Sequence, residues 1–423
     1  MTGTRAEVPV RWQQCATCGN RLDELDVRTS CPECGGLLDV MFHTPPGRGA
    51  ELRRRFTDRL GIAGKPSAVS GVWRYTELIM EVPPSTIVSF PEGNTPLVTS
   101  ERVASWSGCT RLQLKHEGLN PTGSFKDRGM TVGVTQARRV RARAVACAST
   151  GNTSASLAAY AALAGLPALV LVPAGQVAAG KLRQTLAYGA RTLAVRGDFD
   201  ACLALLRDAA SRLGVYLLNS VNPYRVEGQK AIVFELLQQL DWKSPDWIVF
   251  PAGNLGNTAA FGKALDEASR LGLIDRVPRL LSVQASRAAP FYQSFLSGFR
   301  TRHTTRAETI ATAIRIGDPA SYERGVRAIR LTNGAVASVD DSDILAAQHC
   351  VNSAGLGCEP ASAASVAGVR AAVAGGLISR DDYVVAVLTG HLLKDPDASV
   401  ADARNAPIEV DASLDAIERE LVA

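Results

Sequence analysis

From residue 111 onward, short apolar runs alternate with longer amphipathic or alanine-rich stretches. Arg111-Leu112-Gln113-Leu114-Lys115 alternates polar and apolar side chains, as a short strand does. Ala142 to Ala148, Ala168 to Val172, Thr192 to Val195 and Val215 to Leu218 read as further strands. So do Trp247 to Phe250, Leu280 to Val283 and Tyr383 to Val387. Helical patterns separate them: an alanine-rich stretch ending at Ala164, then Lys181 to Tyr188 and Phe199 to Leu213. Short apolar strands between helices imply an α/β fold with parallel sheets covered on both faces. Sites in such folds gather where the C-terminal ends of strands run into loops and helix starts.

The first 110 residues break this rhythm. Residues 50 to 90 suggest one basic helix, then a proline-interrupted arm containing Trp73, Tyr75 and Pro83-Pro84. Ahead of them, Cys15-Ala16-Thr17-Cys18 and Cys31-Pro32-Glu33-Cys34 stand twelve residues apart. Two Cys-x-x-Cys knuckles place four thiolates around one zinc ion. Glycine follows each knuckle (Gly19, and Gly35-Gly36), where the backbone has to turn under a metal. A pair of disulfides is the plain alternative, disfavoured in a reducing compartment. Cys109, Cys147, Cys202, Cys350 and Cys358 are scattered among apolar residues and read as buried thiols.

Composition narrows the class. The chain has 423 residues, 46% of them hydrophobic, enough for two or more domains with a large core. Its net charge of +5 is spread along the sequence and does not point to nucleic acid. Arg53-Arg54-Arg55 and Arg138-Arg139-Val140-Arg141 read as solvated helix faces. No apolar run is long enough to span a bilayer, and Met1 to Arg11 has no signal-peptide core. A soluble, cytoplasmic protein is the expectation.

Four loops carry the candidate chemistry. Lys126 lies in a segment where Pro121 and Gly123 end the strand pattern and Ser124 is a candidate helix N-cap. An amine on the first helical turn sits at a positive dipole end. That placement lowers its proton affinity and suits Schiff-base chemistry. A solvated lysine beside Asp127 is the plain alternative. Gly253-Asn254-Leu255-Gly256-Asn257-Thr258 turns from a strand into a helix expected near Asn257, and its converging N–H groups suit an anion. It is not a P-loop, since no Gly-Lys-Ser/Thr closes it. Ser149 to Ser154 offers hydroxyls and N–H groups that at the least cap the next helix. The loop from Asn219 to Lys230 offers two neutral donors, Asn219 and Ser220, and the fork-shaped cation of Arg225. That set suits a phosphate monoester. A surface ion pair of Arg225 with Glu227 or Asp241 is the alternative.

Asn120-Pro121-Thr122-Gly123-Ser124-Phe125-Lys126-Asp127-Arg128 resembles the cofactor-lysine segment of the threonine synthase branch of fold-type II pyridoxal phosphate (PLP) enzymes. Pro91 to Leu97, Thr309 to Gly317 and Glu359 to Ser365 resemble segments of the same family. The resemblance covers about residues 90 to 400 and, more loosely, the cysteine module. It implies two open parallel-sheet domains with the cofactor between them, plus a small N-terminal zinc ribbon. By the same resemblance Lys126 bonds PLP and shuttles protons, and Gly253, Asn254, Leu255, Gly256 and Asn257 hold its phosphate. Asn152 faces the ring oxygen, and Thr389 offers its hydroxyl to the ring nitrogen, a neutral partner that tempers the electron sink. Thr150, Gly151 and Thr153 take the substrate carboxylate. The Asn219–Lys230 segment resembles threonine synthase in particular, whose substrate O-phospho-L-homoserine carries a distal phosphate.

The implied activity is a carbon–oxygen lyase that turns O-phospho-L-homoserine and water into L-threonine and phosphate by β,γ-replacement. A cysteate synthase-like replacement, or another elimination on a phospho-amino acid, would share the fold, Lys126 and an anion site. A nucleic-acid-binding zinc ribbon is the remote alternative. Against it, Asp23, Glu24, Asp26 and Glu33 outnumber Arg21 and Arg28 across the knuckles. The expected organisation is a zinc ribbon at 1–43, a linker and arm at 44–90 and a catalytic core at 91–404. A smaller subdomain is nested at roughly 120–225, and a helix closes the chain at 405–423. The expected partners are a small phospho-amino acid and a second copy of the chain, with neither nucleic acid nor membrane. His391 reads as a structural hydrogen-bonding residue at a helix start. Leu392 stands where the family usually has glycine, and Asp318 where asparagine is more usual.

Overall fold

Three sheets carry the chain in this computed structural model, which describes residues 11–43, 47–60, 69–175, 179–197, 199–396 and 407–422. Part of the linker and arm expected at 44–90, and the first two residues and the last of the stretch expected at 405–423, lie outside the described residues. Strands β1 (Arg11–Cys15), β2 (Arg21–Asp23) and β3 (Leu38–Phe42) form a small antiparallel sheet in the order β2-β1-β3. Gly19 and Gly35 follow the knuckles at φ of 75° and 72°, the left-handed turns their position requires. The short strand β4 (Leu97–Val98) pairs antiparallel with β5 (Arg111–His116). Next come β6 (Ala144–Ala148), β7 (Ala168–Pro173), β8 (Arg191–Val195) and β9 (Val215–Leu217), all parallel, in the order β8-β7-β6-β9. The large sheet is completed by β10 (Trp247–Pro251), β11 (Arg279–Ala285), β12 (Ala335–Val339) and β13 (Tyr383–Leu388). Its order is β12-β11-β10-β13-β5-β4, parallel except at β4.

Both faces of the large sheet are apolar, as burial on both sides requires. Ile248, Phe250, Val385 and Val387 face one buried cluster, while Trp247, Val249, Val384 and Ala386 face another. The smaller sheet repeats the arrangement, with Val145 and Cys147 on one side and Ala144 and Ala146 on the other. Helix Lys126–Arg139 leaves the large sheet after β5 and enters the smaller unit before β6. The arm from residue 69 packs inward: Trp73 and Tyr75 are fully buried.

Charged side chains join these pieces in two buried clusters. Arg128 pairs with Glu117 and Glu235 at 2.7 Å, and Lys115 meets Glu235 at 2.6 Å. Glu235 also accepts the N–H groups of Asn94 and Thr95 at 2.7 and 3.0 Å, which pins the entry segment. In the second cluster Asp39 of β3 pairs with Arg324 and Arg327 at 2.9 and 2.7 Å, while Lys263 donates to the Val40 carbonyl. The cysteine-bearing sheet is thus seated on the rest of the chain through its last strand.

Two local expectations are corrected. Ser124 does not cap a helix: helix Lys126–Arg139 has no side-chain N-cap, and the Ser124 hydroxyl is buried without a hydrogen-bond partner. The loop is closed instead by Asp127, whose carboxylate accepts the Thr122 N–H at 2.7 Å and hydroxyl at 2.6 Å. The segment Asn219–Lys230 is a loop only as far as Asn222. Pro223 opens a helix to Gln239, capped by the Asn222 side chain, which accepts the N–H groups of Tyr224 and Arg225.

Candidate active site

Strands β10, β13 and β5 are neighbours in one parallel sheet, so the loops after them meet at its C-terminal edge. These are the loops of Gly253–Asn257, Thr389 and Lys126. Direct bonds hold two of them together. The Phe125 N–H donates to the Thr389 carbonyl at 3.0 Å, and the His391 N–H donates to Gly123 at 2.9 Å. In the smaller sheet β6 and β9 are also adjacent, which brings the loops of Thr150–Thr153 and Asn219–Ser220 side by side.

Lys126 is the first residue of its helix, and its ammonium stands 4.0 Å from the centre of the Phe125 ring. Burial, and then the nearby Arg225 cation, lower its pKa from the usual lysine range to about 7. These two causes leave the amine close to half-protonated at neutral pH. Asp127 does not neutralise it: that carboxylate is spent on Thr122 and on the Ser156 hydroxyl at 2.6 Å.

Arg225 is buried, in the first turn of the helix begun at Pro223. One Nη donates to the Leu218 carbonyl at 3.0 Å, while Nε and the other Nη are buried without a hydrogen-bond partner. Burial pushes its pKa down to about 10. It makes no surface ion pair, because Glu227 pairs with Lys230 and Lys263. Two unpaired guanidinium nitrogens in a buried position are a strong demand for an anion. Ser220 lies half-buried nearby on the loop. Asn219 spends its side chain differently: its amide accepts from and donates to the Ala148 backbone at 3.1 and 3.0 Å, tying the two loops together.

After β10, Leu255 adopts a left-handed conformation at φ 62°, and Gly256 begins a helix that runs to Arg270. Asn254 holds the loop from outside, its carbonyl accepting from Ser321 and its side chain from Ala320. The Asn257 side-chain oxygen is buried without a partner. Gly253 faces Ile314, whose Cα would lie 3.0 Å from a Cβ at that position.

Asn152 opens the helix after β6 and donates to the Glu359 carboxyl at 2.9 Å, a contact between the two sheet units. Gly151 lends its carbonyl to the Ser154 hydroxyl and the Ala155 N–H. Thr150 and Thr153 are half-buried at the mouth of that loop. Thr389 is buried with its hydroxyl 3.0 Å from that of Ser362, which also bonds the Gly390 backbone. His391 caps the turn Leu392–Lys394 through Nδ1. Leu392 rests over Gly357, where a Cβ would meet it at 2.5 Å. Asp318 is an exposed partner of Arg302.

Three residues at the site escaped the sequence reading. Glu359 is buried and its pKa is raised to about 7 by burial, partly offset by Lys394, Asn152 and Lys126. Ser362 supports Thr389. Lys394 donates to the Thr122 carbonyl at 3.0 Å and also reaches Gln184. Glu359 and Ser362 lie in a segment already matched to the family; the pairings depend on chain folding that no local pattern states.

The four sulfurs of Cys15, Cys18, Cys31 and Cys34 lie within 4.8 Å of one another, and none is in a disulfide. Cys15–Cys34 and Cys18–Cys31 stand at 3.4 and 3.7 Å, too far for S–S bonds. Thiolates about 2.3 Å from a tetrahedral zinc stand roughly 3.8 Å apart. No helix among the described residues is long and apolar enough to cross a membrane.

Comparison with known proteins agrees with this geometry. Residues 88–390 match the family of the pyridoxal-phosphate dependent enzyme. The threonine synthase of Methanosarcina acetivorans is 46% identical over 96% of this chain and 98% of its own. That of Methanocaldococcus jannaschii is 41% identical over 97% and 99%. The crystal structure of threonine synthase from Escherichia coli shares the fold, with a TM-score of 0.70 and 20% identity over 96% of this chain and 94% of that one. The chain therefore belongs to the pyridoxal-phosphate dependent enzymes and, among them, to the threonine synthase family.

Proposed function

We propose that this chain is a PLP-dependent lyase that converts O-phospho-L-homoserine and water to L-threonine and phosphate. The observation that carries the substrate class is Arg225, buried beside Lys126 with two guanidinium nitrogens unpartnered. The residues fit the cofactor as well: an amine of lowered pKa, a glycine-bearing helix start and buried polar atoms short of partners. Bound through Lys126, PLP would supply an electron sink that makes the substrate Cα proton removable.

Lys126 in this reading takes the Cα proton when the substrate amine displaces it, and later returns it. An amine with a pKa of about 7 exists in both protonation states at neutral pH, as a group that accepts and returns one proton must. Asn152, held by Glu359, presents its amide to the cofactor ring oxygen, and Thr389, held by Ser362, presents a neutral hydroxyl to the ring nitrogen. The Thr150–Gly151–Thr153 loop binds the carboxylate at the start of helix Asn152–Ala164. Arg225 and Ser220 hold the distal phosphate, with Asn219 fixing their loop to β6. In the net reaction the Cγ–O bond breaks and phosphate leaves. Cβ loses one proton and bonds to the oxygen of water, and the proton that water gives up goes to the departing phosphate. Cγ takes up a proton to become the threonine methyl.

Replacing Arg225 tests this. Arg225→Ala should lower catalytic efficiency on O-phospho-L-homoserine about a hundredfold, equivalent to ~2–3 kcal/mol for a charge-assisted phosphate contact. Cofactor affinity should change little, because its phosphate is assigned to Gly253–Asn257. Loss of PLP with normal kinetics in reloaded enzyme would mean that the two anion sites are exchanged.

Cys15, Cys18, Cys31 and Cys34 are proposed to hold one structural zinc, since four thiolates leave no open coordination position. Removing it should loosen the β1–β3 module first and reach activity only indirectly, through its contacts with the core, among them those of Asp39, Val40 and Glu24. Elemental analysis of protein purified without chelator should give one zinc per chain. A value near zero would reject the site.

A further inference from the structure

Arg225 and Gln229 stand four residues apart on one helix, so they share a face one turn apart. Gln229 is only 2% exposed, and its side-chain oxygen has no hydrogen-bond partner. Its position is set by two glycines. A Cβ at Gly256 would lie 3.3 Å from Oε1, and a Cβ at Gly129 would lie 3.1 Å from Nε2. The amide is thus wedged between the helix that begins with Lys126 and the first residue of the helix after β10. Asn257, the next residue of that helix, also buries an unpartnered side-chain oxygen, at 6% exposure.

Buried amide oxygens are rarely left without a donor. Turning the amide about its last torsion exchanges the oxygen for an NH2 group that occupies the same space. At a helix start, where backbone N–H groups already converge, a second donor is useful only to an anion. Resting on the assignment of Gly253–Asn257 to the cofactor phosphate, we propose that Gln229 is a ligand of that phosphate. Its NH2 group turns toward the anion at the Gly256 helix start. Arg225, one turn earlier, is left for the phosphate of the substrate. The helix begun at Pro223 then serves both anions, with a neutral donor at the resident one and a cation at the transient one. A neutral amide adds no charge that would hold the departing phosphate in place.

Gln229→Met keeps the length of the side chain and removes its hydrogen bonds; Gln229→Glu keeps its shape and adds negative charge. PLP affinity is read by titrating the cofactor back into stripped protein and following the visible band of the lysine-bound form. Q229M should weaken it at least tenfold, while KM for O-phospho-L-homoserine at saturating PLP stays within about twofold. The 31P resonance of bound PLP should move in Q229M. Q229E should weaken binding at least a hundredfold, more at about pH 8 than at pH 6, because the phosphate gains its second charge near pH 6. Wild-type affinity and an unmoved 31P resonance in Q229M would overturn the proposal. So would a lower melting temperature of stripped Q229M with unchanged affinity, the mark of a purely structural residue. Should Q229M not fold, wild-type affinity in Q229E overturns it equally. A wild-type chain that forms no visible band defeats the site assignment itself; equal PLP affinity in all three proteins defeats only the role of Gln229.

Discussion

Lys126→Ala is expected to abolish turnover and the visible absorbance of the bound cofactor while leaving the fold intact. Lys126 makes no ion pair among the described residues, and its neighbour Arg225 repels it. Its pKa of about 7 lies below the unfolded value, so between pH 7 and about 10 the unfolded chain binds more protons. Stability therefore rises with pH across that window, and the wild-type lysine is a burden below it. Stripped Lys126→Ala protein should melt no lower than stripped wild type at pH 7, with the difference shrinking toward pH 10. Reloading of wild type with PLP should speed up through pH 7 as the amine loses its proton. Turnover retained by Lys126→Ala would refute the assignment.

Arg128→Met should have the largest effect on stability. Arg128 is the only cation that bonds both Glu117 and Glu235 among the described residues. Without it two buried carboxylates face each other with Lys115 alone to offset them. Removing one partner of a buried charge cluster costs roughly 3–5 kcal/mol, a large part of a domain's stability. The same cations hold the Glu235 and Glu117 carboxyls below their usual range, against the opposing effect of burial. A depressed carboxyl pKa contributes stability that is complete above the unfolded value and lost as pH falls below it. The wild type should lose stability in acid, below about pH 4, and Arg128→Met should lose much of that dependence. Equilibrium denaturation at several pH values measures both effects. A variant as stable as wild type at neutral pH would contradict the reading of the cluster.

The strands around the site were legible because each is an apolar run bounded by turn residues or, at Arg111–Lys115, a polar–apolar alternation. Their order was not. That β13, last in sequence, inserts between β10 and β5 depends on long-range pairing, and this insertion brings Thr389 beside Lys126. The start of the helix at Pro223 was written in Asn222-Pro223, an N-cap followed by proline. The pattern of polar residues after it reads more readily as loop, because Glu227, Gln229 and Lys230 are all buried there. Charge pattern misleads in the same way at Lys115, Arg128 and Glu235, which look solvated in sequence yet pair in the interior. Ser124 was the natural cap by residue type, but Asp127 wins because its carboxylate takes both donors of Thr122. Asn152 was visible as a loop amide, whereas Glu359, which orients it, lies 207 positions away.

The central claim is the pairing of a reactive lysine with a phosphate monoester site. It is tested most directly by offering PLP-loaded wild-type enzyme O-phospho-L-homoserine and O-phospho-L-serine separately, measuring phosphate release and amino-acid products. Release of one phosphate per L-threonine formed from O-phospho-L-homoserine, with little reaction on O-phospho-L-serine, is the predicted result. Phosphate released from O-phospho-L-serine but not from O-phospho-L-homoserine would contradict it.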